Sequence, residues 1–192
     1  MRNVVIHFTI LLMLLFTSCQ EDETLQESTL VQSENTFIRV TESENHILIR
    51  VESLSDFTDN RNGDVNQTDY CNISFDINNN GTIDSDIDFG YESPTKHYDI
   101  CSYYFLENDA ITHCGGHATE AIFSESFTTS AASSEPHMIW ELSIPKEELN
   151  NTRTLAFTVK TIDKGEFNTH PPISKKSNPV LFTFKETLKF EW

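Results

Sequence analysis

The feature that most restricts the fold is an alternation of period two that starts at Thr36 and runs, interrupted by turn residues, to the end of the chain. Its cleanest stretch is Met138-Ile139-Trp140-Glu141-Leu142-Ser143-Ile144. Successive side chains of an extended strand leave on opposite faces, so Met138, Trp140, Leu142 and Ile144 are expected to face a core while Ile139, Glu141 and Ser143 face away. By the same rule Ile47, Ile49 and Val51 oppose Leu48 and Arg50 in segment 46–51, which pairs with 37–40 across the turn 41–45. Further strands are expected at 70–77, 98–106, 119–127, 155–162, 180–184 and 188–192. Pro145 stops the 138–144 strand before one helical turn at 146–149. No longer stretch carries helical spacing, and residues 36–192 are enough for one core. The expectation is an all-β domain, a two-sheet antiparallel β-sandwich of jelly-roll-like build.

Between two of these strands lies Asp76-Ile77-Asn78-Asn79-Asn80-Gly81-Thr82-Ile83-Asp84-Ser85-Asp86-Ile87-Asp88, with oxygen-bearing side chains at alternate positions around a glycine. The spacing resembles an EF-hand loop through its ninth position. Asp76, Asn78 and Asn80 would give side-chain oxygens, Gly81 the sharp turn, Thr82 a carbonyl and Asp84 a contact through water. The bidentate glutamate of position twelve is replaced by Ile87, and Asp86 or Asp88 is expected to stand in for it. The expected cofactor is therefore Ca²⁺, held by Asp76, Asn78, Asn80, Thr82, Asp84 and Asp88. A strand leads into the loop, which argues against a sensor that works by opening a helix pair. Asp56, Asp59, Asp64 and Asp69 admit two readings, further carboxylates for this loop or a solvated turn. His113 and His117 flank Cys114-Gly115-Gly116, but no third or fourth ligand at matched spacing completes a zinc or copper site. A glycine turn is the better reading of that segment.

The first residues read as an address. Arg2 precedes an apolar run, Val4 to Phe16, which is shorter than a membrane span and ends in Thr17-Ser18-Cys19. This resembles a bacterial lipobox, which would remove 1–18 and lipidate Cys19. The following Gln20-Glu21-Asp22-Glu23 looks like the export tag of surface lipoproteins of Bacteroidota-type bacteria. Residues 19–35, polar and acidic, are expected to act as a flexible tether to the domain at 36–192. The implied location is the outer membrane, facing out, with the lipid as the sole membrane contact. The formal net charge of −17 argues against nucleic acid as a partner. Beyond Cys19 three cysteines remain, so one disulfide can form. Cys101 and Cys114 bracket a hairpin and are the expected pair, while Cys71 alternates with Ile73 and Phe75 into the core.

Trp140-Glu141-Leu142-Ser143-Ile144-Pro145-Lys146-Glu147-Glu148-Leu149, a strand ending in Glu-x-x-Ile-Pro with a Leu-terminated turn after it, is similar to the signature segment of family 9 carbohydrate-binding modules and DOMON-like sandwiches. Ile73-Ser74-Phe75-Asp76 resembles their strand that ends in an Asp and an Asn-rich turn. The resemblance implies a calcium-bearing sandwich that binds glycans. Sugar sites are built from exposed aromatic rings, and Tyr91, Tyr98 and Tyr103, with Tyr104, are the candidate platforms here. The alternative partner is a surface protein, bound by a structural or adhesion domain. No enzyme is expected: the carboxylates fall in turn-like stretches, and Ser124 and Ser126 lie in a strand without a nucleophile elbow.

Overall fold

The computed structural model describes residues 26–61, 68–95, 99–106, 110–150, 153–163, 166–172 and 187–192. Among them eleven strands form two antiparallel sheets. They are Gln26–Gln32 (β1), Thr36–Glu42 (β2), His46–Ser53 (β3), Tyr70–Asp76 (β4), Phe89–Glu92 (β5), Cys101–Tyr104 (β6), Ile122–Thr128 (β7), His137–Pro145 (β8), Thr154–Asp163 (β9), Glu166–His170 (β10) and Leu188–Glu191 (β11). The first sheet runs β1-β2-β3-β8-β7 and the second β10-β9-β4-β5-β6, with β11 also on β9. The architecture is the two-sheet antiparallel β-sandwich that the alternation implies.

The hairpin of β2 and β3 forms as the pattern requires, with Ile47, Ile49 and Val51 fully buried. On β8, Met138, Trp140, Leu142 and Ile144 enter one core with Ile73, Phe75 and Tyr91 from the opposite sheet. Ile139 faces the other way and yet is buried, outside that core cluster. Segment 129–136 closes over this outer face. Ser130 Oγ donates to Glu52, which also meets His137 at 2.9 Å and Arg50 at 2.6 Å.

Two expectations change at the edges. Residues 26–32, read as tether, form the edge strand β1 on β2, and Leu30 and Val31 pack against the core. Two apolar residues suffice because β2 already offers a ladder of backbone groups to pair with. The strand expected from Thr119 starts at Ile122 instead, since Thr119 and Glu120 are engaged by Glu148. The helical turn after Pro145 is a 3₁₀ turn, Lys146–Leu149, closed by Asn150 in the left-handed region at φ 53. Strands β5 and β10 lack a clear alternation and were not expected as strands. The strand expected at 180–184 lies outside the described residues.

Candidate functional site

The loop after β4 is organised by its own carboxylates. Asp76 is buried and accepts the amides of Asn80 at 3.1 Å on Oδ1 and of Gly81 at 2.9 Å on Oδ2. Such an aspartate turn needs left-handed backbone nearby, which Asn79 and Gly81 supply at φ 54 and φ 80. Beyond it the side-chain amides of Asn78 and Asn80 each stand 2.6 Å from the same oxygen of Asp84, so three side chains end at one point. Those amides hold the Asp84 carboxyl below its usual range. Thr82 donates to Asn80 Oδ1 through its hydroxyl. Asp88 is fully buried, and its two oxygens accept the amides of Ile77 at 2.9 Å and Asp84 at 2.7 Å. Burial, followed by the charges of Asp76 and Asp84, pushes Asp88 up to about 6. Asp76 and Asp88 thus brace the loop from within, whereas Asn78 and Asn80 converge on Asp84 at its exposed side. The donor set is oxygen only, which fits a hard cation.

A second acidic cluster was not singled out as a unit by sequence. Asp56, Asp69 and Asp163 bring carboxylate oxygens within 4.8 Å of one another, the one such set among the described residues. They come from the turn after β3, the residue before β4 and the end of β9, far apart in the chain. Burial, then the charge of Asp56, pushes Asp69 up to about 7, against hydrogen bonds from Asn60. Glu125, on the inward face of β7 opposite Trp140, is also pushed by burial to about 7. Asp56 and Asp69 therefore serve this end of the sandwich and not the Asn-rich loop.

The tyrosine platforms require correction. Tyr91 is fully buried, with its hydroxyl 2.7 Å from Glu148 and 3.0 Å from Thr119. Tyr103 is 1% exposed, and its hydroxyl donates to Asn72 at 2.8 Å. Its ring lies over Gly90. Neither can stack on a ligand, because an alternation that places an aromatic on a strand does not say whether a loop covers that face. Tyr98 lies outside the described residues, as do Cys19 and the leader. Tyr104 is half-buried edge-on against His117. His117 itself stacks on Phe89 at 4.3 Å and meets Glu148 at 3.2 Å, so it is committed to the interior and not to a metal. Burial lowers its pKa despite that carboxylate. A disulfide joins Cys101 to Cys114, and Cys71 is a buried free thiol.

Exposed aromatic rings lie elsewhere. Phe167 on β10 is 44% exposed, and the register carries its row through Ile162 on β9 to the half-buried Tyr70 on β4. With strands about 4.8 Å apart, the backbone positions of Phe167 and Tyr70 stand roughly 10 Å from each other on one outer face. The Lys160 ammonium sits 5.2 Å from the Phe167 ring centre. Phe57, 56% exposed in the turn after β3, is the other such ring among the described residues.

A two-sheet sandwich with an aspartate- and asparagine-rich loop at one strand end is the class these observations define. Among solved structures the chain is similar to a carbohydrate binding module of family 9 (CBM9) from Caldicellulosiruptor kristjanssonii in complex with cellotriose, at 11% identity and a TM-score of 0.51, over 87% of this chain and 82% of that one. It is similar as well to a CBM9 from the same organism in complex with glucose, at 12% identity and a TM-score of 0.50, over 87% and 83%. Identity this low establishes a shared fold. No family model matches the sequence, and no characterised protein matches it by sequence.

Proposed function

We propose that this chain is a non-catalytic carbohydrate-binding module, tethered to the outer membrane through a lipid on Cys19 and stabilised by calcium in the loop 76–88. The observation that carries the glycan reading is the shared sandwich across most of the chain with modules solved in complex with cellotriose and glucose. The outer row of Phe167 and Tyr70 takes the place of the buried tyrosines as the stacking surface, since one or two rings clear of the core beside polar groups suit a sugar. A glycan array probed with residues 26–192 tests this. Binding lost in Phe167→Ala supports the reading, and silence across a broad array of neutral and acidic glycans sinks it. The burial of Tyr91 and Tyr103 favours a second reading, an adhesion domain for a surface protein, to which such silence would shift the weight.

Asp76, Asn78, Asn80, Thr82 and Asp84 would hold the calcium ion, with Asp88 behind them. When bound, the ion supplies charge to a loop of mutually repelling carboxylates and so ties the β4 end to β5. With few anionic ligands the affinity should be weak, on the order of 10⁻⁴ to 10⁻³ M. Calorimetric titration that registers no heat of binding up to ~10 mM calcium, well above that range, removes the ion from the account. For the anchor, Cys19→Ser should release the protein from the membrane fraction. A multiply acylated cysteine holds firmly where a single chain does not.

A further inference from the structure

Asn80 is exposed and is followed by Gly81, which has no Cβ to crowd its own amide nitrogen. In such a pair the glycine nitrogen can attack Cγ of the asparagine and close a five-membered succinimide ring. The rate then depends on what takes the proton of that nitrogen, what stabilises the negative charge growing on Oδ1 and what holds the departing amide. The loop 76–88 supplies a partner for each.

The Gly81 N–H donates to Asp76 Oδ2 at 2.9 Å. That bond lies in the peptide plane, whereas the electron pair that attacks stands perpendicular to it, so the buried carboxylate is placed to take the proton without covering the attacking face. Asn80 Oδ1 receives two donors from one residue, the Thr82 amide at 2.8 Å and the Thr82 hydroxyl at 2.7 Å. They meet the atom that bears the charge of the tetrahedral intermediate, as the donors of an oxyanion hole do. The bond from the Thr82 amide also closes an Asx turn whose ring contains both Cγ and the Gly81 nitrogen, which holds the reacting atoms together. Asn80 Nδ2, the departing group, donates to Asp84 Oδ2 at 2.6 Å. Asn78 reaches the same Asp84 oxygen, but it precedes Asn79 and not a glycine, and among the described residues no donor pair is assembled on its carbonyl.

We propose that Asn80-Gly81 is a self-modification site, at which the loop itself converts Asn80 to an acidic residue. The bond from Gly81 N to Asn80 Cγ forms, the Cγ–Nδ2 bond breaks, and the proton of Gly81 N leaves through Asp76 with the released ammonia. Water then opens the ring, at Cγ to give aspartate at position 80 or at the main-chain carbonyl to give isoaspartate, and nothing is oxidised or reduced. Opening to aspartate adds an anionic oxygen at the fifth position of the loop, which on the calcium reading above would tighten the ion, since affinity rises with ligand charge. The modification itself stands apart from that reading, because it needs no ion. The test is to incubate the folded protein and a synthetic peptide of residues 76–88 side by side at neutral pH in a chelator, with peptide mapping by mass spectrometry and isoaspartyl methylation as readouts. Position 80 should turn acidic several-fold faster in the fold than in the peptide, and the protein unfolded in urea should fall to the peptide rate. Thr82→Val, which removes the hydroxyl donor and keeps the amide, should slow the folded protein several-fold and leave the peptide unchanged, and Thr82→Ser should restore the rate. Asn80→Gln, whose longer side chain cannot close the five-membered ring, should abolish the reaction. A rate in the fold equal to or below that of the peptide, or a Thr82→Val effect of the same size in both, overturns the proposal.

Discussion

At Gly90 a single hydrogen does the work of a platform. A Cβ built there would stand 2.5 Å from the Tyr103 hydroxyl and 2.6 Å from its ring carbon. That hydroxyl cannot swing away freely, because it is fully buried between Asn72 and Ser74. The ring closes the outer face of β5, which is why Tyr103 is lost to ligand binding. Gly90→Ala should therefore destabilise the domain by about 1–3 kcal/mol through overpacking. Chemical denaturation that shows no shift in midpoint would mean that the ring is loosely held. A comparable residue-level device is Glu148, whose carboxylate takes Tyr91, Thr119 and the Glu120 amide. Burial raises its pKa, and these donors outweigh that and lower it.

At the scale of elements, the edge strand β1 decides where the domain begins. Cutting at Thr36 would expose the ladder of β2 and remove Leu30 and Val31 from the core. A chain of residues 36–192 should melt several degrees below one of residues 26–192 and aggregate sooner, as scanning calorimetry and light scattering can show; equal melting would return β1 to the tether. Strands such as β3, β4 and β8 were legible because core-facing apolar residues recur at every second position along them, although the outward residues of β4 and several of β8 are buried as well. The polar Glu-Phe-Asn-Thr-His of β10 was not, since an edge strand gains its place by backbone pairing, which leaves no mark in side-chain pattern. The Asn-rich loop was legible from local spacing alone. In contrast, Asp56, Asp69 and Asp163 meet only through the pairing of β4 with β9. Burial of Tyr91 was equally invisible, because its partner Glu148 is 57 positions away.

For the molecule as a whole, the buried carboxylates divide into two sets that act in opposite directions with pH. Glu52 and Glu148 are subject to burial, which raises a carboxylate, but their hydrogen bonds prevail and hold both below the usual value. Their stabilisation is present above the unfolded pKa of about 4.3 and is lost as pH falls through the lower folded value. Asp69 and Glu125, pushed by burial to about 7, and Asp88, to about 6, are the reverse. Between about 4 and 7 the folded chain keeps protons on them that the unfolded chain has released, so their effect is to lower stability as pH rises through that window. The sharpest test is Asp69→Asn, which removes one proton-linked group while keeping an acceptor oxygen for one of the two Asn60 donors. At pH 7.5 the variant should be more stable than the natural sequence by about 1–2 kcal/mol, a figure reduced from the full shift to allow for solvent screening. At pH 4.5, where Asp69 is already protonated in the fold, that gain should vanish. Unfolding curves from pH 3 to pH 8 in which the two proteins run parallel would show that folding leaves the Asp69 pKa unshifted.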